Sequence, residues 1–203
     1  SYVNAYPNTV VDNPSGQRDW VWQVAKDEAG NPAIAMVQIS PDKTSHNYYY
    51  AKWTGTEWKK TFLANAGGHF HQTPNLEMCY SAGMALDPDR SNEIYCSVPV
   101  VGTSGKKVYE IVKYVVNEDG KVTSTPVTYN SLKNNIRPYI LPGSKNSSLR
   151  LAWMYGDYYD WIVSSSRPKG YPTAIHCDFA LPDAPVDLED RLLLSEDFNA
   201  MVE

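Results

Sequence analysis

Two histidines separated by one residue, His69 and His71, follow a pair of glycines and form the most conspicuous chemical pair in the chain. On a β-strand, side chains two residues apart point to the same face. Imidazole pairs at this spacing often supply half of a metal site. No third ligand stands near them in the sequence. We therefore predict that both histidines contact substrate and that the protein needs no cofactor; a metal bound by His69 and His71 is the less favoured alternative.

A second group of candidates lies in an aromatic run that contains Tyr155 and Tyr158. Aromatic rings stack on sugar faces while their polar edges stay in water. Asp157 and Asp160 are interleaved with them, and a pair of carboxylates roughly 5 to 9.5 Å apart hydrolyses glycosides. A polar turn between core aromatics explains the two aspartates better. We therefore keep only the two tyrosines as substrate contacts.

The composition limits the classes of function. The chain has 203 residues, 42% of them apolar, and a formal net charge of -5. This content of apolar residues supports a folded core. The negative charge argues against nucleic-acid binding, which needs clustered cations. No apolar run approaches the roughly 20 residues of a membrane-spanning helix. The three cysteines lack a CxxC spacing, so we expect free thiols.

The spacing of apolar residues is that of strands. Residues 20–64 contain four short apolar or aromatic runs separated by turn residues, and residues 80–127 repeat the plan. Residues 135–178 supply a third copy, whose strands need neighbouring sheets to cover them. Four-stranded units recurring at about 45 to 55 residues are typical of β-propeller blades. We predict an all-β, propeller-like array, either an incomplete ring or part of a larger propeller; a two-sheet sandwich is the alternative.

We predict that the chain has two parts. Residues 1–180 hold about three complete blades and an N-terminal remnant. Residues 181–203 are acidic and begin with a proline-rich stretch. This change in composition indicates a linker or the start of a following module.

Several motifs together resemble one known family. They are residues 18–32 (RDWVWQVAKDEAGNP), 46–55 (HNYYYAKWTG), 80–88 (YSAGMALDP), 94–97 (IYCS), 137–138 (RP) and 151–158 (LAWMYGDY). Their order and spacing resemble the BNR-repeat-containing propeller proteins, relatives of sialidase-type propellers and of ulvan-lyase-like polysaccharide lyases. The resemblance implies carbohydrate processing by a secreted or periplasmic protein, often with an additional domain in the same chain.

The resemblance also suggests catalytic residues. A lyase that acts on a uronic acid polymer needs a base, a proton donor and a cation that neutralises the carboxylate. His46 resembles the family's catalytic histidine, Tyr80 its acid or base, and Arg137 is the carboxylate clamp. Each has a structural alternative: a histidine that caps a strand, a packed aromatic ring and an arginine that orders a turn. Because Arg137 precedes Pro138, we expect it to be extended.

One position departs from the family pattern. The resemblance predicts an arginine shortly after the IYCS strand, and the chain has Val98 there. Two functions therefore remain open. The first is a lyase or glycoside hydrolase acting on an extracellular, anionic polysaccharide or oligosaccharide. The second is a non-catalytic glycan-binding or scaffold propeller.

Overall fold

The computed structural model describes residues 16–70, 78–156 and 173–178, together with the dipeptides 186–187 and 196–197. All helical or strand structure within these residues is β-strand. His71, Tyr158, Asp157 and Asp160 lie outside them. No helix long and apolar enough to cross a membrane occurs in the part of the chain that is described.

The first sheet confirms the four strands predicted in residues 20–64. It contains, in antiparallel order, β1 (Arg18–Lys26), β2 (Pro32–Ile39), β3 (His46–Trp53) and β4 (Trp58–Gly67). Local turn chemistry joins them. Asp27 accepts the amide of Gly30 at 2.9 Å through its backbone oxygen, and Gly30 has the positive φ that glycine adopts without cost. Strands β1, β2 and β3 are each followed by a short reversal that pairs them with the next strand.

The second sheet repeats this plan with β5 (Met84–Leu86), β6 (Glu93–Val101), β7 (Lys107–Val116) and β8 (Val122–Pro126). Its first strand is only three residues long. Tyr80 lies before this strand, because the backbone that precedes Met84 forms its hydrogen bonds with other parts of the fold. The amide of Gly83 donates to the hydroxyl of Tyr48 at 2.9 Å, and the carbonyl of Ala82 accepts the amide of Arg137 at 2.9 Å.

The third sheet contains β10 (Asn135–Ile140), β11 (Leu151–Gly156), β12 (Thr173–Asp178) and β14 (Glu196–Asp197). Two further short strands, β9 (Thr128–Tyr129) and β13 (Val186–Asp187), form a parallel pair. The predicted third unit is therefore confirmed. Both β13 and β14 come from the segment predicted to be a linker, and they pair back onto the blades; the domain boundary at residue 180 stays a prediction.

The first strands of the three blades, β1, β5 and β10, lie next to one another. The side chain of Gln23 on β1 accepts the amide of Leu86 on β5 at 3.0 Å. The sheets do not close into a barrel in the part of the chain that is described. This arrangement confirms the predicted propeller-like array of blades.

Apolar side chains fill the spaces between successive blades. One buried cluster joins the first and second blades, and a second joins the second and third. Val98 belongs to the first cluster and is only 6% exposed. A valine therefore suits this position, because an arginine would place its charge in an apolar core.

Candidate functional site

The blades have two chemically different ends. We call "upper" the end that carries the β2–β3 turn (40–45) and the start of the connection from β4 to β5. We call "lower" the end that carries turns 27–31, 54–57, 87–92 and 117–121. Because successive strands are antiparallel, these turns alternate between the two ends. Tyr80 and Arg137 lie toward the upper end, where β5 and β10 begin.

Arg137 lies against two aromatic rings. Its Cζ atom is 4.1 Å from the centroid of the Tyr80 ring and 5.1 Å from that of Trp22. The three residues come from three separate parts of the fold: β10, the segment before β5, and β1. All are half-buried. We call them the Arg137 cluster. A guanidinium over an aromatic face gains a cation–π attraction and presents its N–H groups in its own plane.

The structure thus brings together two of the three residues predicted to be catalytic. It also adds Trp22, which the sequence analysis did not identify as a site residue. Trp22 lies within the RDWVWQVAKDEAGNP motif, and its position on the first strand of a blade was the available signal.

Arg137 is not extended, contrary to the prediction. Its φ is 56°, in the left-handed region, and the β10–β11 register shifts between Ile136 and Tyr139. Two contacts hold this conformation. The amide of Arg137 donates to Ala82, and a Cβ added to Gly83 would lie 3.2 Å from its Cα. A non-glycine residue in this region costs about 1–3 kcal/mol, and such strain is concentrated at functional sites.

A buried polar network supports the start of β10, two residues before Arg137. The side-chain amide of Asn135 donates to the Glu110 carboxylate at 3.0 Å, and its oxygen accepts the indole N–H of Trp153 at 2.8 Å. Glu110 also accepts hydrogen bonds from Thr128 and from the amide and hydroxyl of Ser131. A buried carboxylate with this many donors is stable in place. The network therefore fixes the backbone from which Arg137 projects.

His46 is fully buried, with 0% of its surface exposed. Its Nε2 donates to the carbonyl of Met78 at 3.0 Å, which selects the tautomer with hydrogen on Nε2. Burial lowers the pKa of His46, and His69 lowers it further, while hydrogen bonds to the backbone of Met78 and Lys43 partly offset the shift. This environment favours a structural role for His46, which fixes the segment leading to Tyr80 rather than capping a strand as the sequence alternative suggested. The catalytic role of His46 stays a prediction.

The buried histidine has a consequence for stability in acid. Because the folded-state pKa of His46 lies below its ordinary value of 6.5, the unfolded chain binds the proton more readily. The stability that the neutral His46 contributes is fully present above about pH 6.5 and is lost as the pH falls below that value. We expect the unfolding temperature to drop between pH 7 and 5, and the drop to be smaller in His46→Asn.

The His176→Asn variant is the necessary comparison for this experiment, because burial and then Lys133 lower the pKa of His176 as well. Thermal unfolding followed by circular dichroism at several pH values measures both effects. An acid-induced decline that is identical in the wild type and in His46→Asn would contradict the assignment to His46.

Of the residues predicted to bind substrate, His69 and Tyr155 lie in the described part of the chain, and neither belongs to the Arg137 cluster. His69 is half-buried in irregular chain after the end of β4, and His71 lies outside the described residues. Tyr155 stacks on His176, with ring centroids 4.3 Å apart and an interplanar angle of 27°. No group of three or more histidine, cysteine, aspartate or glutamate side chains arranged for a metal occurs among the described residues. The substrate contacts stay predictions.

Comparison with known families supports the motif analysis. Residues 4–66 match the model of a family described as BNR repeat-containing family member, and this range contains nearly all of the first blade. The predicted resemblance to BNR-repeat-containing proteins is confirmed over these residues, and the relation to sialidase-type or ulvan-lyase-like proteins stays a prediction. BNR repeats occur in carbohydrate-active proteins such as sialidases. No curated protein and no solved structure matches the chain.

Proposed function

We propose that this BNR-repeat protein is a carbohydrate-active propeller module that holds an anionic polysaccharide by a carboxylate bound at the Arg137 cluster. The observation that carries the proposal is the guanidinium of Arg137 lying against the rings of Tyr80 and Trp22. A secreted or periplasmic location is part of the same proposal, because extracellular polysaccharide is the substrate class that the family resemblance implies.

The cluster offers the two kinds of contact that a uronic acid needs. The planar fork of a guanidinium matches the two oxygens of a carboxylate. Aromatic rings provide flat surfaces for the apolar face of a sugar. The strained backbone of Arg137 is a further argument, because the surrounding contacts maintain a costly conformation at the one residue that carries the charge.

A catalytic version of this function is favoured by the position of Tyr80. Its ring lies 4.1 Å from the Arg137 guanidinium, so its phenol belongs to the same cluster as the carboxylate clamp. In a β-elimination, a base removes the proton next to the carboxylate, the glycosidic C–O bond breaks, and the leaving oxygen receives a proton. Tyr80 would transfer one of these protons, while Arg137 would stabilise the charge that develops on the carboxylate.

A non-catalytic version is favoured by His46. Full burial and the hydrogen bond from Nε2 to Met78 leave this imidazole without an exposed surface for substrate. In this version, the Arg137 cluster binds the acidic glycan and the chain acts as a binding module. The two versions share the same carboxylate contact and differ only in whether the bound glycan is converted to a product.

Arg137→Gln should weaken binding of oligogalacturonate at least tenfold, because hydrogen bonds to a charged group contribute about 1.5–3 kcal/mol. Isothermal titration measures the loss. Lys121→Gln is the matched control, since it removes one exposed positive charge from a turn at the lower end. Equal weakening by both substitutions would show that only net charge matters, and would contradict the proposed clamp.

Turnover separates the two versions. Oligogalacturonate and other uronic-acid polymers are incubated with the protein, and the ultraviolet absorbance of an unsaturated product is followed together with the formation of reducing ends. Absorbance that increases in the wild type and not in Tyr80→Phe supports the lyase. Reducing ends without absorbance indicate a hydrolase, and binding without either product supports the binding module.

A further inference from the structure

A groove lies at the lower end of the molecule, between the first and second blades. Its volume is about 780 Å³, within the range of pockets that hold small molecules. Turns 27–31, 87–92 and 117–121 contribute to its walls, together with the ends of β3 and β4. None of the members of the Arg137 cluster lines it. This groove therefore lies away from the residues predicted to be catalytic.

The charges of this groove are balanced. Four cationic and four anionic side chains line it: Lys26, Lys52, Lys59 and Arg90, and Asp27, Glu28, Asp89 and Glu118. Lys52 and Asp27 already pair with each other at 3.0 Å. Because neither sign of charge is in excess, the lining gives no electrostatic preference for a charged ligand.

The remaining lining consists mainly of hydrogen-bonding side chains. Hydroxyl and amide groups come from Asn31, Thr54, Thr61, Ser91, Asn92 and Asn117. Many small donors and acceptors suit a ligand that carries many hydroxyl groups.

Tyr50 provides an independent sign of a ligand. It lines the groove and is only 2% exposed, and its hydroxyl has no hydrogen-bond partner among the described residues. Burial, and then the nearby charge of Asp27, raise the pKa of Tyr50 to about 12, so the phenol keeps its proton. A buried hydroxyl without a partner is costly, and a ligand that accepts its proton removes the cost.

We propose that this groove binds a neutral oligosaccharide, one of whose hydroxyl groups accepts a hydrogen bond from Tyr50. The balanced charge provides no net attraction for the acidic sugars proposed for the Arg137 cluster. The inference is independent of that proposed function, because the two sites are at opposite ends of the blades and share no residue. The protein would thus contact a glycan at two chemically different places.

The test uses the full chain and three neutral probes: maltotriose, cellotriose and xylotriose. Saturation-transfer NMR identifies which of them binds, and titration gives the dissociation constant. Tyr50→Phe removes only the hydroxyl, and we expect the dissociation constant to increase about 5- to 10-fold, the effect of one neutral hydrogen bond.

Tyr95→Phe is the matched control. Tyr95 is also fully buried, its hydroxyl also lacks a hydrogen-bond partner among the described residues, and it does not line the groove. We expect the affinity of this variant to equal that of the wild type. Binding should also persist in Arg137→Gln, so that failure at one site is distinguishable from failure at the other. The proposal is overturned if none of the three probes binds, or if Tyr50→Phe and Tyr95→Phe weaken binding equally.

Discussion

Asp87→Asn should lower the free energy of unfolding by about 3–5 kcal/mol, the effect of breaking a buried ion pair from one side. Asp87 is 0% exposed and pairs with Arg150, whose side chain is 2% exposed. Its carboxylate also accepts the amides of Asp89 at 2.9 Å and Arg90 at 3.2 Å. The substitution leaves the Arg150 guanidinium in the interior with a neutral partner at residue 87. Among the described residues, only Asp89, at 3.3 Å, continues to balance its charge.

Urea unfolding of the variant and the wild type measures the difference. Lys113→Met is the comparison, because the pair of Lys113 with Glu93 at 3.2 Å is more exposed, and we expect a loss of no more than about 1 kcal/mol. The double variant Asp87→Asn with Arg150→Met should be more stable than Asp87→Asn alone, since it removes the uncompensated charge. Equal stabilities of the single and double variants would contradict this account.

The pair of Asp87 and Arg150 also shows what the sequence does not predict. Alternating residues and turns predict the strands of each blade, because these features act over a few neighbouring positions. Asp87 and Arg150 are 63 positions apart and come together only when the second and third blades pack. A buried arginine therefore has no local signature, and its partner depends on the packing of the blades.

The same reasoning applies to the candidate site. The resemblance predicted Tyr80 and Arg137 individually, and the structure shows that they are in contact. The conformation at residue 137 was predicted wrongly because the sequence rule considers only the following proline. It takes no account of the hydrogen bond to Ala82 or the close approach of Gly83, which come from a different blade. Contacts between blades therefore determine both the shape and the strain of the Arg137 cluster.

Arg137→Gly and Arg137→Ala should both reduce binding of oligogalacturonate at least tenfold. The order of their stabilities should report the backbone conformation at residue 137. In an extended strand, glycine is less stable than alanine by about 0.5–1 kcal/mol. At the observed φ of 56°, the order reverses, because alanine in the left-handed region costs about 1–2 kcal/mol and glycine adopts it freely. Arg137→Gly should therefore be the more stable variant by about 1 kcal/mol.

Chemical unfolding of the two variants, combined with titration of the same samples, separates strain from binding. Both lose the contacts of the guanidinium with Tyr80 and Trp22, so this loss cancels when the two are compared. A glycine variant more stable than the alanine variant, with binding lost in both, means that the fold maintains a strained backbone where the charge is needed. The opposite order of stability would mean that residue 137 is extended, and would remove strain from the argument for this site.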